Sequence, residues 1–159
     1  MLGRGKTGCR TSTNIIATNV LIESLAEFRF AARADQLKDA RAKVRKVATA
    51  LGFDKETTDC IVFAVDEACA NIIRHGYCEG MTGDIILNLS RNEHELVVRL
   101  TDFAEPVDVS SICARNLDEV RPGGLGVPLM NEIMDRVEYL DAPDNVGNIL
   151  EMRKRLAAS

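Results

Sequence analysis

Residues 55–75 constrain this chain most, because polar side chains interrupt an otherwise apolar helical pattern there at a fixed spacing. Ile61, Val62, Ala64, Val65, Ala68, Cys69, Ile72 and Ile73 give a broad apolar face, and Gly76 stops the pattern. Such a helix is predicted to be central, lying between a neighbouring helix and a sheet. Glu67, Asn71 and His75 are each four residues apart, about one turn. Their side chains therefore share a face, with Arg74 beside it at three from Asn71.

A carboxylate and a carboxamide on adjacent turns of an apolar helix are costly to bury unless something hydrogen-bonds or coordinates them. Three readings follow. In the first, Asn71 offers a neutral oxygen to a hydrated Mg²⁺ carrying a nucleotide, and Glu67 takes a proton from an attacking hydroxyl or holds a water in line. In the second, the residues form an ordinary exposed polar stripe. In the third, Glu67 and His75 make a metal face, although no further histidine or cysteine has suitable spacing nearby.

Around this helix the pattern predicts a strand over 20–30, with weak alternation at Leu25, Phe28 and Phe30. A helix follows, capped by Asp35, with Leu37, Ala40, Val44, Val47, Ala48 and Leu51 on its apolar side and Gly52 at its end. Strands over 84–90 and 95–101 form an antiparallel hairpin turned by Arg91-Asn92-Glu93-His94. Residues 104–123 lose periodicity, and the expectation is a loop with short helices or a functional lid. Gly124-Leu125-Gly126 then opens a helix with Val127, Leu129, Met130, Ile133 and Met134 on its apolar side. Strands over 136–140 and 148–156 close the chain. The order predicts an α+β two-layer sandwich, a mixed and mostly antiparallel sheet backed by helices. Residues 1–19 are expected to be a flexible tail and 20–159 one domain.

Two more places can carry chemistry. Asp102 stands where the second hairpin strand runs out, positioned to accept from an adenine amino group or simply to start a turn. In Arg121-Pro122-Gly123-Gly124-Leu125-Gly126, glycines before a helix start let backbone amides approach phosphate oxygens, and Arg121 is within reach of the terminal phosphate. The bland alternative is a turn.

A formal net charge of −4 and a pI near 5.3 argue against broad attraction to nucleic acid. The basic run of Lys43, Arg45 and Lys46 reads as a solvated helix face. No apolar run approaches the roughly 20 residues that span a bilayer, so no membrane partner is expected. Cys9, Cys60, Cys69, Cys78 and Cys113 contain no Cys-x-x-Cys pair and fit a reducing cytoplasm; Cys60 and Cys69 are predicted to be small buried hydrophobes.

In this order the segments resemble the Bergerat-type ATP-binding fold, the histidine-kinase-like ATPase fold shared by gyrase, histidine kinases and mismatch-repair ATPases. Glu67-Ala-Cys-Ala-Asn71 with Arg74-His75-Gly76-Tyr77, then Gly124-Leu125-Gly126 with Met134-Asp135-Arg136-Val137-Glu138-Tyr139, is similar to the anti-sigma-factor serine/threonine kinases of bacterial partner-switching systems. The resemblance spans roughly residues 22–155. It implies Glu67 as catalytic base, Asn71 as Mg²⁺ ligand and Asp102 as the adenine-binding aspartate. Gly124 and Gly126 become phosphate-lid glycines flanking Leu125, and Gly147 lies near the adenine. Arg74, His75, Arg121 and Asn148 complete the implied nucleotide-binding set.

It further implies ATP and Mg²⁺ as cofactors, an anti-sigma-factor antagonist and a sigma factor as partners, and a homodimer. The rival expectation is a partner-binding module of the same fold without phosphoryl transfer. The chain departs from the family pattern at Ala104, where Asp-x-Gly is common, and at Asn148, where a threonine is usual. The first departure predicts a differently seated adenine-side loop.

Overall fold

The computed structural model describes residues 21–77, 80–108 and 126–158. The expected tail and Arg121, Gly124 and Leu125 lie outside them. Five strands, β1 (Glu23–Ala31), β2 (Asp84–Arg91), β3 (Glu95–Asp102), β4 (Arg136–Leu140) and β5 (Asn148–Arg155), form one sheet in the order β1-β2-β3-β5-β4. All four pairings are antiparallel, so the sheet is not mixed as expected. Helices α1 (Leu37–Ala50), α2 (Lys55–Asn71) and α3 (Gly126–Ile133) cover one face. Because α1 meets β1 and β2 while α3 meets β4, α2 lies side by side between them instead of beneath α1.

Period-two alternation decides which side chains meet the helices. Ile85, Leu87 and Leu89 on β2, Leu96, Val98 and Leu100 on β3, and Leu150 and Met152 on β5 point inward. There they pack on Val44, Ala48, Ile61, Val65, Ala68, Met130 and Met134. The weak alternation of β1 has a local cause. Ser24 pairs with Ser90 and Ala26 with Leu89, so Leu25 is an extra residue in a bulge, and the phase of the strand changes across it.

Helix boundaries show where local chemistry differs from expectation. Asp35 does not cap α1; it lies in a short 3-10 turn, Ala34–Gln36, and its carboxylate pairs with Arg33 at 2.5 Å. The side-chain cap belongs to α2, where Asp54 accepts from the Thr57 N–H at 2.7 Å, an interaction of about 1 kcal/mol. Cys60 is exposed while Cys69 is buried, and burial pushes the Cys69 thiol up to about 12. Leu129 is exposed as well, leaving Met130 and Met134 to fill the core from the α3 end. The basic run on α1 is not simply solvated, since Arg45 pairs with Asp59 of α2 and Lys43 sits 4.7 Å above the Phe28 ring.

The opposite sheet face carries charge. Glu151 is 1% exposed and accepts from Arg99 at 2.7 Å and from Arg153 at 2.8 Å, while Arg153 also reaches Glu95. Burial raises the Glu151 carboxyl, but the two guanidinium groups outweigh it and hold the carboxyl below its ordinary value. A depressed folded value makes this contribution fully present above the unfolded carboxylate range, and it is lost as pH falls through the folded value. Glu151→Gln is therefore expected to cost about 1–2 kcal/mol in urea unfolding at pH 7, with the gap to the parent chain closing in acid.

Candidate nucleotide site

Helix α2 keeps α-geometry only to Asn71; Ile72–Gly76 form a π-helical turn. Such wider turns inside helices often occur at functional sites. Buried Ile61, Val62, Ala64, Val65, Ala68 and Cys69 fix the rotation of α2, so Glu67 and Asn71 emerge half-buried at its outer edge. Arg74 donates to Asn71 Oδ1 at 3.1 Å and lies 3.7 Å from Glu67 Oε2. Glu67, Asn71 and Arg74 are thus brought together. His75 is exposed and takes no part in that set, because wider winding after Asn71 breaks the one-turn spacing that placed it there.

This donor set fits Mg²⁺. It offers a neutral amide oxygen and a carboxylate at a partly solvated position, and a small hard cation that keeps several waters needs few protein ligands. An amide oxygen has two lone pairs, so the Arg74 bond leaves Asn71 Oδ1 able to accept a cation. Among the described residues no group of three or more His, Cys, Asp and Glu is arranged to hold a metal.

Asp102, at the end of β3, is 4% exposed. Its Oδ1 accepts from the Ala104 N–H at 3.0 Å and from Asn148 Nδ2 at 2.9 Å. Burial raises its carboxyl, and those two donors only partly offset the effect. Asn148 also donates to Glu105 O at 3.1 Å and accepts from the Val107 N–H at 2.7 Å. Its amide is committed to bracing Asp102 and the loop segment that follows it. Gly147 donates its N–H to Asp102 O at 2.9 Å, and a Cβ there would lie 2.1 Å from Ala104 O. The glycine is needed for close approach of two backbones.

The missing glycine of the Asp102-Phe103-Ala104 loop is not required here. No non-glycine residue among those described has a positive φ, and the turn closes through the Ala104 N–H. Ala104 is 5% exposed and packs its methyl toward Gly76, where an added Cβ would lie 3.1 Å away. Gly76 at the end of the π turn thus touches the Asp102 loop, joining the two halves of the site.

Tyr77 had no role assigned from sequence, yet its hydroxyl donates to Asp84 O at 2.8 Å and accepts from the Phe103 N–H at 3.0 Å. Gly83 makes room for its ring, since a Cβ there would lie 2.1 Å from the ring carbon. An aromatic directly after a helix-ending glycine was the available signal. One surface concavity, of about 410 Å³, is walled partly by Gly147 and Asn148 beside the Asp102 loop, and another, of about 550 Å³, by Arg29, Arg33 and Phe103. Neither is lined by Glu67 or Asn71, so the site is recognised by side-chain chemistry, not by cavity size. Gly126 is the first residue of α3.

The family model of the histidine kinase-like ATPase domain matches residues 30–154. The chain is 29% identical over 138 residues to the serine-protein kinase RsbW of Halalkalibacterium halodurans, covering 82% of each protein. It is 26% identical over 119 residues to the serine-protein kinase RsbW of Bacillus subtilis, covering 70% of this chain and 74% of that one. In fold it is similar to the solved RsbU and RsbW domains of a Mycobacterium tuberculosis protein, with a TM-score of 0.59 and 15% identity. That match covers 85% of this chain and about a third, 34%, of the other. The resemblance to the serine-kinase group read from the motifs is borne out by these relatives. With its antiparallel sheet backed by helices and a match that takes in β2 to β5 and the helices, the chain belongs to the histidine kinase-like ATPase domain family.

Proposed function

We propose that this protein is a cytoplasmic ATP-dependent serine/threonine protein kinase and anti-sigma factor, transferring the ATP γ-phosphoryl group to an anti-sigma-factor antagonist. The observation that carries the reading is the Glu67–Asn71–Arg74 cluster at the α-to-π junction, joined through Gly76 to the Asp102 loop. Asp102 would accept from the adenine amino group, braced by Asn148 and Gly147. Asn71 would hold Mg²⁺, whose charge offsets that developing on the phosphates. Arg121, Gly124, Leu125 and Gly126 would supply further contacts to the phosphates, and Arg74 would add its charge beside Asn71.

Glu67 is the base. The acceptor hydroxyl gives its proton to the Glu67 carboxylate as its oxygen bonds to the γ-phosphorus. The bond from that phosphorus to the bridging oxygen breaks, and ADP leaves. Binding of a sigma factor and pairing of two copies belong to the same reading. Among the described residues no helix is long and apolar enough to cross a membrane.

A second reading, a partner-binding module without phosphoryl transfer, draws on one observation. Arg74 already engages both Asn71 and Glu67, so the pair is satisfied within the chain. Incubation with Mg²⁺, γ-labelled ATP and the antagonist protein encoded nearest to it separates the two. Label on an antagonist serine or threonine is expected, and complex formation without label favours the module.

A further inference from the structure

Phe63 is 42% exposed in the middle of α2. Its neighbours Val62 and Ala64 are buried, so the rotation of the helix is set and the ring is held out to solvent. It precedes Glu67 by one turn, and at 100° per residue Phe63, Glu67 and Asn71 fall within about 80° of one another around the axis. Exposed Cys60 lies on the same stripe. The other phenylalanines are engaged: Phe28 and Phe30 stack with centroids 5.1 Å apart, Phe53 is buried, and Phe103 sits under Arg29 at 5.4 Å. Phe63 has no aromatic or cationic partner among the described residues.

The stripe has a direction. Ala104, two residues after Asp102, meets the C-terminal end of the helix at Gly76, Asn71 comes next toward the N-terminus, and Glu67 follows one turn further, about 6 Å on at 1.5 Å per residue. A nucleotide with its base at Asp102 and its phosphates at Asn71 would have its terminal phosphoryl group at Glu67. The acceptor hydroxyl must approach that group from the side away from the leaving oxygen, over the next turn. That turn presents Phe63.

We infer that Phe63 is the docking anchor for the phosphoacceptor protein, taking an apolar side chain next to the acceptor serine or threonine and so setting acceptor specificity. This rests on the kinase reading for the identity of the occupant. A rigid aromatic with two side-chain torsions loses little entropy on binding, and such anchors dominate interface energies. Exposed, and with no aromatic or cationic partner among the described residues, Phe63 can be truncated with little effect on the fold.

The test measures the dissociation constant of the complex with the antagonist protein encoded nearest to this one, for the parent chain, Phe63→Ala and Phe63→Leu. Mg²⁺-ATP affinity is measured beside it. Phe63→Ala is expected to weaken the complex about tenfold or more, with Phe63→Leu recovering most of the loss and Mg²⁺-ATP affinity unchanged in both. Alkylation of Cys60 should also slow when the antagonist is bound, whereas Cys69 is buried. An affinity for Phe63→Ala within twofold of the parent, or no antagonist binding by the parent, overturns the anchor. Antagonist binding that depends on Phe63 without any phosphoryl transfer keeps the anchor and sinks the kinase reading instead.

Discussion

Asn71→Ala is expected to abolish Mg²⁺-ATP binding, whereas Glu67→Ala keeps the nucleotide and loses phosphoryl transfer by about 10²–10⁴-fold. The two residues sit one turn apart on the same helix, so the contrast tests their chemistry and not their location. Alanine at 71 removes the only neutral side-chain oxygen of the cluster and also frees Arg74, which loses its acceptor at 3.1 Å. Alanine at 67 leaves that bond in place and takes away the carboxylate that would receive the hydroxyl proton. Both side chains are only half-buried, so neither change should unfold the chain. Calorimetric titration with Mg²⁺-ATP beside a single-turnover transfer assay reads the two effects separately. Full transfer by Glu67→Ala would remove the base assignment.

The second large effect is structural. Gly147→Ala places a methyl group 2.1 Å from Ala104 O, 2.7 Å from Ala104 N and 2.9 Å from Phe103 C, all of them backbone atoms that have no rotamer to escape into. Something must shift, and either the Gly147 N–H bond to Asp102 O or the turn closed on Asp102 Oδ1 is lost. Overpacking of this kind costs about 3 kcal/mol. That corresponds to a fall of about 6–12 °C in Tm for a domain of this size. Because the displaced segment carries Asp102, nucleotide affinity should fall with stability. Thermal unfolding of the variant checks it, and an unchanged Tm would mean that the two segments are not in contact.

Much of this arrangement was legible in the sequence because it is repeated in the chain's own periodicity. The apolar phase of 55–75 marks the helix and the face carrying Glu67 and Asn71, and the turn residues between 91 and 94 mark the hairpin. There Asn92 Oδ1 accepts from the N–H groups of both His94 and Glu95. What sequence reasoning missed depends on contacts between distant segments. Nothing local signals that the helix widens at Ile72, which removes His75 from the cluster, or that Asn148 spends its amide on Asp102, 46 residues away. Cys60 fits an apolar pattern by residue type alone, but neighbouring helices cover α2 on only part of its circumference. The bulge at Leu25 hid the alternation of β1 for a comparable reason, since an inserted residue shifts every later side chain by one face.

The departure at Ala104 proves a question of packing and not of backbone strain. An Asp-x-Gly pattern implies a glycine-dependent turn, yet here the backbone stays at negative φ and the alanine methyl fills space against Gly76. The adenine-side loop is therefore held from three directions, by Tyr77, by Gly147 and by Asn148.

The most direct test of the whole account follows the fate of the γ-phosphate. The protein is incubated with Mg²⁺ and γ-labelled ATP beside the antagonist encoded nearest to it, with Glu67→Ala as the paired control. Label on one antagonist serine or threonine that disappears with Glu67→Ala is the predicted result. A stable complex carrying no label, or equal labelling by both proteins, would contradict it.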